Sequence, residues 1–198
     1  GEKWTLEETL TNLIKIADAL DFIHERGILH RDLKPGNILI RAADKEVFLS
    51  DFGLAKVLYK ETLTGSQDVL GTPSYMAPEQ LSGEHDIGPE TDIWSFGVIL
   101  YELLIGQLPF DSDNSVELGQ LIMVEDPSLP HSIQEDLPEE LGAIIWKCLA
   151  KNPKHRYQSA NELGLDLRAV EKGDKVEATL PWLPGRKIAQ SVRRYGAV

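Results

Sequence analysis

Apolar residues recur at three- and four-residue steps from Leu6 through Leu10, Leu13, Ile14, Ala17 and Leu20, which predicts an amphipathic helix. Thr5 and Glu8 have the spacing of a capping box at its start, and Gly27 predicts a left-handed end. Beyond Gly27 the period shortens. Ile38–Ile40 and Val47–Leu49 are brief apolar runs joined by the polar turn "RAADKE", and they predict two strands. Residues 57–90 are rich in Gly, Ser, Thr and Pro and predict a long irregular segment, which inside a compact domain is usually functional. The run "IWSFGVILYELLIG", Ile93 to Gly106, carries one charge, Glu102. It is too short to span a bilayer and reads as a core helix wrapped on all sides. Amphipathic helices follow over 115–123, 139–151 and 159–171, the last opened by a second capping box, Ser159 with Glu162.

Composition narrows the classes. The 198 residues can bury one good core. A net charge of −12 argues against nucleic acid and against anionic membrane surfaces, since both need a basic face. The single cysteine, Cys148, excludes an internal disulfide and fits a reducing compartment. Within "IIWKCLAKN" it reads as a small buried hydrophobe. No basic block precedes an apolar one near the N-terminus, so no signal peptide is expected and a cytoplasmic location is. Residues 172–198 break the charge balance, with six basic and two acidic side chains. They are expected to form a basic extension or linker after a domain at 1–171.

The chemistry lies in "LHRDLKPGNILI", residues 29–40. His30, Arg31, Asp32, Lys34 and Asn37 crowd a loop that Pro35 and Gly36 keep from becoming helix. Asp51 follows in "LSDFGLA". Asp32, Asn37 and Asp51 offer short oxygen ligands of the kind a hard cation such as magnesium prefers. Lys34 would neutralise a phosphoryl group as a point charge, and an Asp beside it would deprotonate a hydroxyl. Each tripeptide alone is a common turn. The ordered combination has a chance frequency of roughly one in a few hundred thousand chains of this length.

"HRDLKPGN", "DFG" and "GTPSYMAPE", in that order, resemble the catalytic loop, metal-binding turn and activation segment of eukaryotic-type (Hanks-type) serine/threonine protein kinases, with a bacterial flavour in "APEQL". "DIWSFGVILYELLIGQLPF" and "CLAKNPKHR" resemble later helices of the same family. The resemblance runs from about Leu6 to Glu171. It implies a mainly α fold: a protein-kinase-like large lobe, a helical bundle around a buried central helix, with short β-strands at the catalytic loop.

It also implies roles. Asp32 resembles the base that accepts the substrate proton, and Lys34 the residue that steadies the γ-phosphate. Asn37 and Asp51 resemble the metal ligands, and Leu39 the apolar floor under adenine. Thr72 resembles the residue that bonds Asp32 and Lys34 beside the acceptor site. His30, Phe52 and Asp92 resemble the packing column beneath the loop, and Glu79 with Arg156 an ion pair tying the activation segment to the lobe. Arg31 resembles a phosphate-binding arginine, with Thr62, Thr64 and Ser66 as candidate phosphorylation sites, Thr64 or Ser66 foremost. Glu102 stands where some relatives meet a basic substrate residue, although a satisfied core glutamate is the equal alternative. The implied cofactors are ATP and Mg2+, with Mn2+ as the other ion, and the implied partners are proteins carrying Ser or Thr.

The family's small lobe supplies a glycine-rich strand pair, a strand lysine and a helix glutamate. No Gly-x-Gly occurs in this chain. Lys15 in "LIKIA" mimics the strand lysine, but its neighbours follow helical spacing. The large lobe alone is therefore expected, with the small lobe absent and activity weak without it. Two other readings remain: a non-catalytic docking module derived from a kinase lobe, and a small-molecule kinase sharing the Asp-x4-Asn loop. "GTPSYMAPE" speaks against the second.

Overall fold

The computed structural model describes residues 4–41, 43–52, 73–84 and 87–180. Helix α1 covers Leu6–His24. Its capping box is closed: the Glu8 N–H donates to Thr5 Oγ1, and the Thr5 N–H donates to Glu8 Oε2 at 2.8 Å. The helix ends where Gly27 takes a φ of 70°. Ile28 N then donates to Ile23 O, and Gly27 N to His24 O, so the last carbonyls are not orphaned. Lys15 lies on α1 and reaches the Lys45 carbonyl and Glu46, as its helical spacing implies.

Strands β1 (Ile38–Ile40) and β2 (Val47–Leu49) form an antiparallel pair in the register Ile38↔Leu49, Leu39↔Phe48, Ile40↔Val47. A short helix, α2, covers Pro78–Leu81. The central helix α3 covers Pro89–Ile105 and is buried without interruption from Thr91 to Tyr101. Proline at its first turn and Gly106 at a φ of 81° set its ends. Around it lie α4 (Ser115–Val124), α5 (Pro130–Ile133), α6 (Glu139–Cys148) and α7 (Ala160–Lys172), with α7 packed along α1. The core is continuous across α1, α3, α6 and α7 through Leu13, Leu20, Phe96, Leu100, Ile144 and Leu167. Cys148 is fully buried in it, and burial pushes its thiol up.

Three expectations need correction. The third amphipathic helix stops at Cys148 and does not reach 151, because Pro153 disfavours helix in the residue before it and Asn152 instead caps a 3-10 turn over Pro153–His155. Ser159 does cap α7 by accepting from Glu162 N, but the Glu162 carboxylate accepts from Gln158 N at 3.1 Å, so the box is not closed on Ser159. The stretch from 172 is not loose through residue 180. Gly173 caps α7 at a φ of 73°, and residues 174–180 fold back as a strap. The buried Asp166 carboxylate accepts from Glu177 N, Ala178 N and the Tyr157 hydroxyl. Among the described residues, no helix is long and apolar enough to cross a membrane.

Candidate active site

The loop from Leu29 to Asn37 has few backbone partners of its own, so its shape comes from side chains of the helices beneath it. Asp92, in the first turn of α3, is fully buried. Its carboxylate accepts from His30 N at 2.8 Å, Arg31 N at 2.7 Å and His24 Nε2 at 2.8 Å. A carboxylate at a helix N-terminus is favoured by the helix dipole, which offsets part of its desolvation. The His30 ring is buried and stands 5.2 Å from the Phe52 ring. Burial lowers its pKa and outweighs the charges of Asp92 and Asp32, so the ring is neutral packing material. Leu33, 1% exposed, nails the middle of the loop into the core.

With the backbone held, the polar side chains converge. Lys34 Nζ donates to Asp32 Oδ2 at 2.7 Å. Asn37 Nδ2 donates to the Asp32 carbonyl at 2.7 Å and to Asp32 Oδ2 at 3.1 Å. The Asp32 and Lys34 side chains stay 31% and 26% exposed, within reach of a ligand. Asn37 spends its amide nitrogen on Asp32, which leaves its side-chain oxygen for a cation. Ser50 N donates to the Asn37 carbonyl at 2.9 Å, tying the end of β2 to the loop. Asp51 comes next, and its Oδ2 accepts from Ser50 Oγ at 3.2 Å. Arg31 and Asp51 both sit in the left-handed region, at φ 66° and 60°. Such strain costs roughly 1–3 kcal/mol per residue and survives only where neighbours over-determine it. Leu39 and Phe48, paired across the strands, share one exposed apolar face.

A carboxylate, an amine and an amide thus meet just before β1, and a second carboxylate, Asp51, follows the end of β2. Residues 3–164 match the protein kinase domain. The chain belongs to the protein kinase family. It is 41% identical over 168 residues to the serine/threonine-protein kinase PknB of Mycobacterium tuberculosis, covering 82% of this chain and 26% of that protein. It is 38% identical over 181 residues to a probable serine/threonine-protein kinase of Streptomyces coelicolor, covering 90% and 27%. A probable serine/threonine-protein kinase of Clostridium acetobutylicum is 40% identical over 158 residues, covering 79% and 24%. The chain therefore spans about a quarter of the length of the relatives it matches.

Glu79 and Arg156 form an ion pair. It is bidentate, at 2.6 and 2.8 Å, and both residues are buried. Thr91 Oγ1 donates to Glu79, and Arg156 also donates to the carbonyls of Ala150 and Glu90. Burial alone would raise the Glu79 pKa, but the hydrogen bonds and charge of Arg156 together hold it below the usual range. Glu102 accepts from the Tyr75 hydroxyl at 2.6 Å. Thr62, Thr64, Ser66 and Thr72 lie outside the described residues.

Two contacts have no counterpart in the sequence reading. His24 joins Asp92 from the last turn of α1. Gln80 reaches from α2 to the Arg31 carbonyl, 49 positions away. Gln80 lies within "APEQL" but carries no role in that motif, and His24 lies in no motif, so neither long-range contact was marked in the sequence.

Proposed function

We propose that this chain is the catalytic large lobe of a protein serine/threonine kinase, transferring the ATP γ-phosphate to Ser or Thr hydroxyls. The observation that carries the proposal is the Asp32–Lys34–Asn37 cluster, to which Asp51 is linked through Ser50. Asp32 accepts the proton of the attacking hydroxyl as the new O–P bond forms and the β–γ P–O bond breaks. Its Oδ2 is already engaged by Lys34 and Asn37, which leaves Oδ1 for the incoming hydroxyl. Lys34 steadies the charge on the phosphoryl oxygens.

The donor set fits magnesium, or manganese, bound with ATP: Asn37 offers an amide oxygen and Asp51 an exposed carboxylate, both hard ligands. The nucleotide complex supplies the transferable phosphoryl group and the charge that draws Asn37 and Asp51 to it. Leu39 and Phe48 present the apolar face on which a purine would rest. Lys34 and the "GTP" of 71–73 support Ser/Thr specificity. Arg31 is proposed to receive a phosphate on Thr64 or Ser66.

The chain holds no Gly-x-Gly to cover the phosphates, so catalysis is proposed to need a small lobe supplied by the longer protein, in a cytoplasmic setting. The 198-residue chain alone is expected to transfer phosphate weakly. In the longest form of the protein that carries this sequence, Asp32→Asn should cut kcat about 10²–10⁴-fold toward a Ser/Thr peptide, read by radiolabel transfer. A wild-type rate from that variant would remove the assignment.

A further inference from the structure

Arg31 directly precedes the candidate base, and its backbone is gripped from two sides. Its N–H donates to the Asp92 carboxylate at 2.7 Å, and its carbonyl accepts from Gln80 Nε2 at 2.8 Å. Gln80 also accepts, through Oε1, from Ala77 N at 2.9 Å. One side-chain amide therefore spans the short helix α2 and the loop that carries Asp32. The residue beside it on α2, Glu79, is fixed to Arg156 and Thr91 in the core. So α2 is rigidly moored on one side and holds the catalytic loop on the other.

A left-handed arginine does not hold that conformation by preference. Asp92 fixes only the N-terminal peptide of Arg31. The peptide between Arg31 and Asp32 is free to rotate about the Arg31 ψ angle unless its carbonyl is held. That rotation would swing the Asp32 carboxylate away from Lys34 and Asn37. Among the described residues, Gln80 Nε2 is the donor that holds the carbonyl.

We infer that Gln80 is a positioning residue for Asp32, coupling the end of the activation segment to the orientation of the catalytic loop through the Arg31 carbonyl. The inference rests on the reading of Asp32 as proton acceptor. The bond to Ala77 suggests a plainer role, capping α2, and the two roles separate by chemistry. A carboxylate at position 80 still accepts from Ala77 N, but it cannot donate to a carbonyl, and its oxygen repels that carbonyl. Gln80→Glu therefore keeps the cap and loses the grip, while Gln80→Met loses both.

The first test needs no activity. In the 198-residue chain, amide hydrogen exchange at His30 and Arg31 should speed up about tenfold in both variants, the worth of about one hydrogen bond, while amides of Ile93–Tyr101 keep their rates. Wild-type exchange at those two amides in Gln80→Glu would overturn the inference and leave the capping role. The second test uses the longest form of the protein. Both variants should lose about tenfold in kcat, with KM for peptide and for ATP within about twofold of wild type. Unchanged kcat with faster exchange would overturn the catalytic part. Faster exchange in a protein whose wild type transfers no phosphate would overturn the proposed function instead and leave Gln80 as a holder of the loop.

Discussion

At the scale of single residues, the fold around the site depends on buried charges that are paired and hydrogen-bonded. Glu79 and Arg156 are almost wholly enclosed, and each satisfies the other in bidentate geometry. Removing one side leaves an uncompensated charge, which costs about 3–5 kcal/mol, far more than the intact pair contributes. Glu79→Gln and Arg156→Met should each lower the melting temperature by about 10 °C, at 2–4 °C per kcal/mol for a domain of this size. The double variant should recover part of that loss. An additive double variant would show that the two do not act as a pair. The pH dependence has a definite sign. The folded pKa of Glu79 lies below its ordinary value, so its stabilisation is complete above about pH 4.5 and fades as pH falls through the folded value. Urea midpoints of wild type should therefore fall in acid more steeply than those of Glu79→Gln.

At the scale of elements, the crossing of α3 and α6 turns on Gly97. A Cβ placed there would stand 2.5 Å from the Cβ of Cys148 and 3.1 Å from Leu149 Cδ2. The first contact is with an atom fixed to the backbone, so the helices must part. Gly97→Ala should cost about 1–3 kcal/mol despite alanine's better helix propensity, measured by chemical denaturation. Cys148→Ala retains its Cβ and should not rescue it; full rescue would mean that the thiol, not the backbone approach, sets the spacing. This crossing was partly legible from the letters. The all-round apolar character of 93–106 gave a buried helix, and the periods of α1, β1 and β2 located those elements. The four-residue helices α2 and α5 were not legible, because one turn leaves no period to read. The helix end at Cys148 was not legible for a related reason: "CLAKN" continues the apolar spacing, and only the proline that directly follows it argues otherwise. In the site, residues with a motif role were legible, whereas the contacts of Gln80 and His24 were not, since no motif assigns those side chains a partner.

At the scale of the whole molecule, the folded body outlasts the family match. The kinase match ends at residue 164, yet Asp166 and the strap it holds belong to the same core. Asp166 is 3% exposed and accepts three donors, two of them strap amides and one the buried Tyr157 hydroxyl. Ala178 is buried, and Val176 and Leu180 pack on the core beside it. Basic composition suggested a solvated linker here. The backbone amides that Asp166 captures carry no compositional mark, which is why the docking escaped notice. Asp166→Ala should release the strap and strand the Tyr157 hydroxyl, costing about 2–4 kcal/mol for the lost charged acceptor and the orphaned donor. Trypsin should then cut after Lys175 in the strap well before it cuts after Arg168 in α7, and Tyr157→Phe should leave those cleavage rates near wild type. Slow cleavage in Asp166→Ala would mean that the apolar side chains, and not the carboxylate, hold the strap. A chain ended after Gly173 separates the two contributions: it uncovers the apolar surface under Ala178 and Leu180 but leaves Asp166 to accept from the Tyr157 hydroxyl, so it should melt below wild type by less than Asp166→Ala.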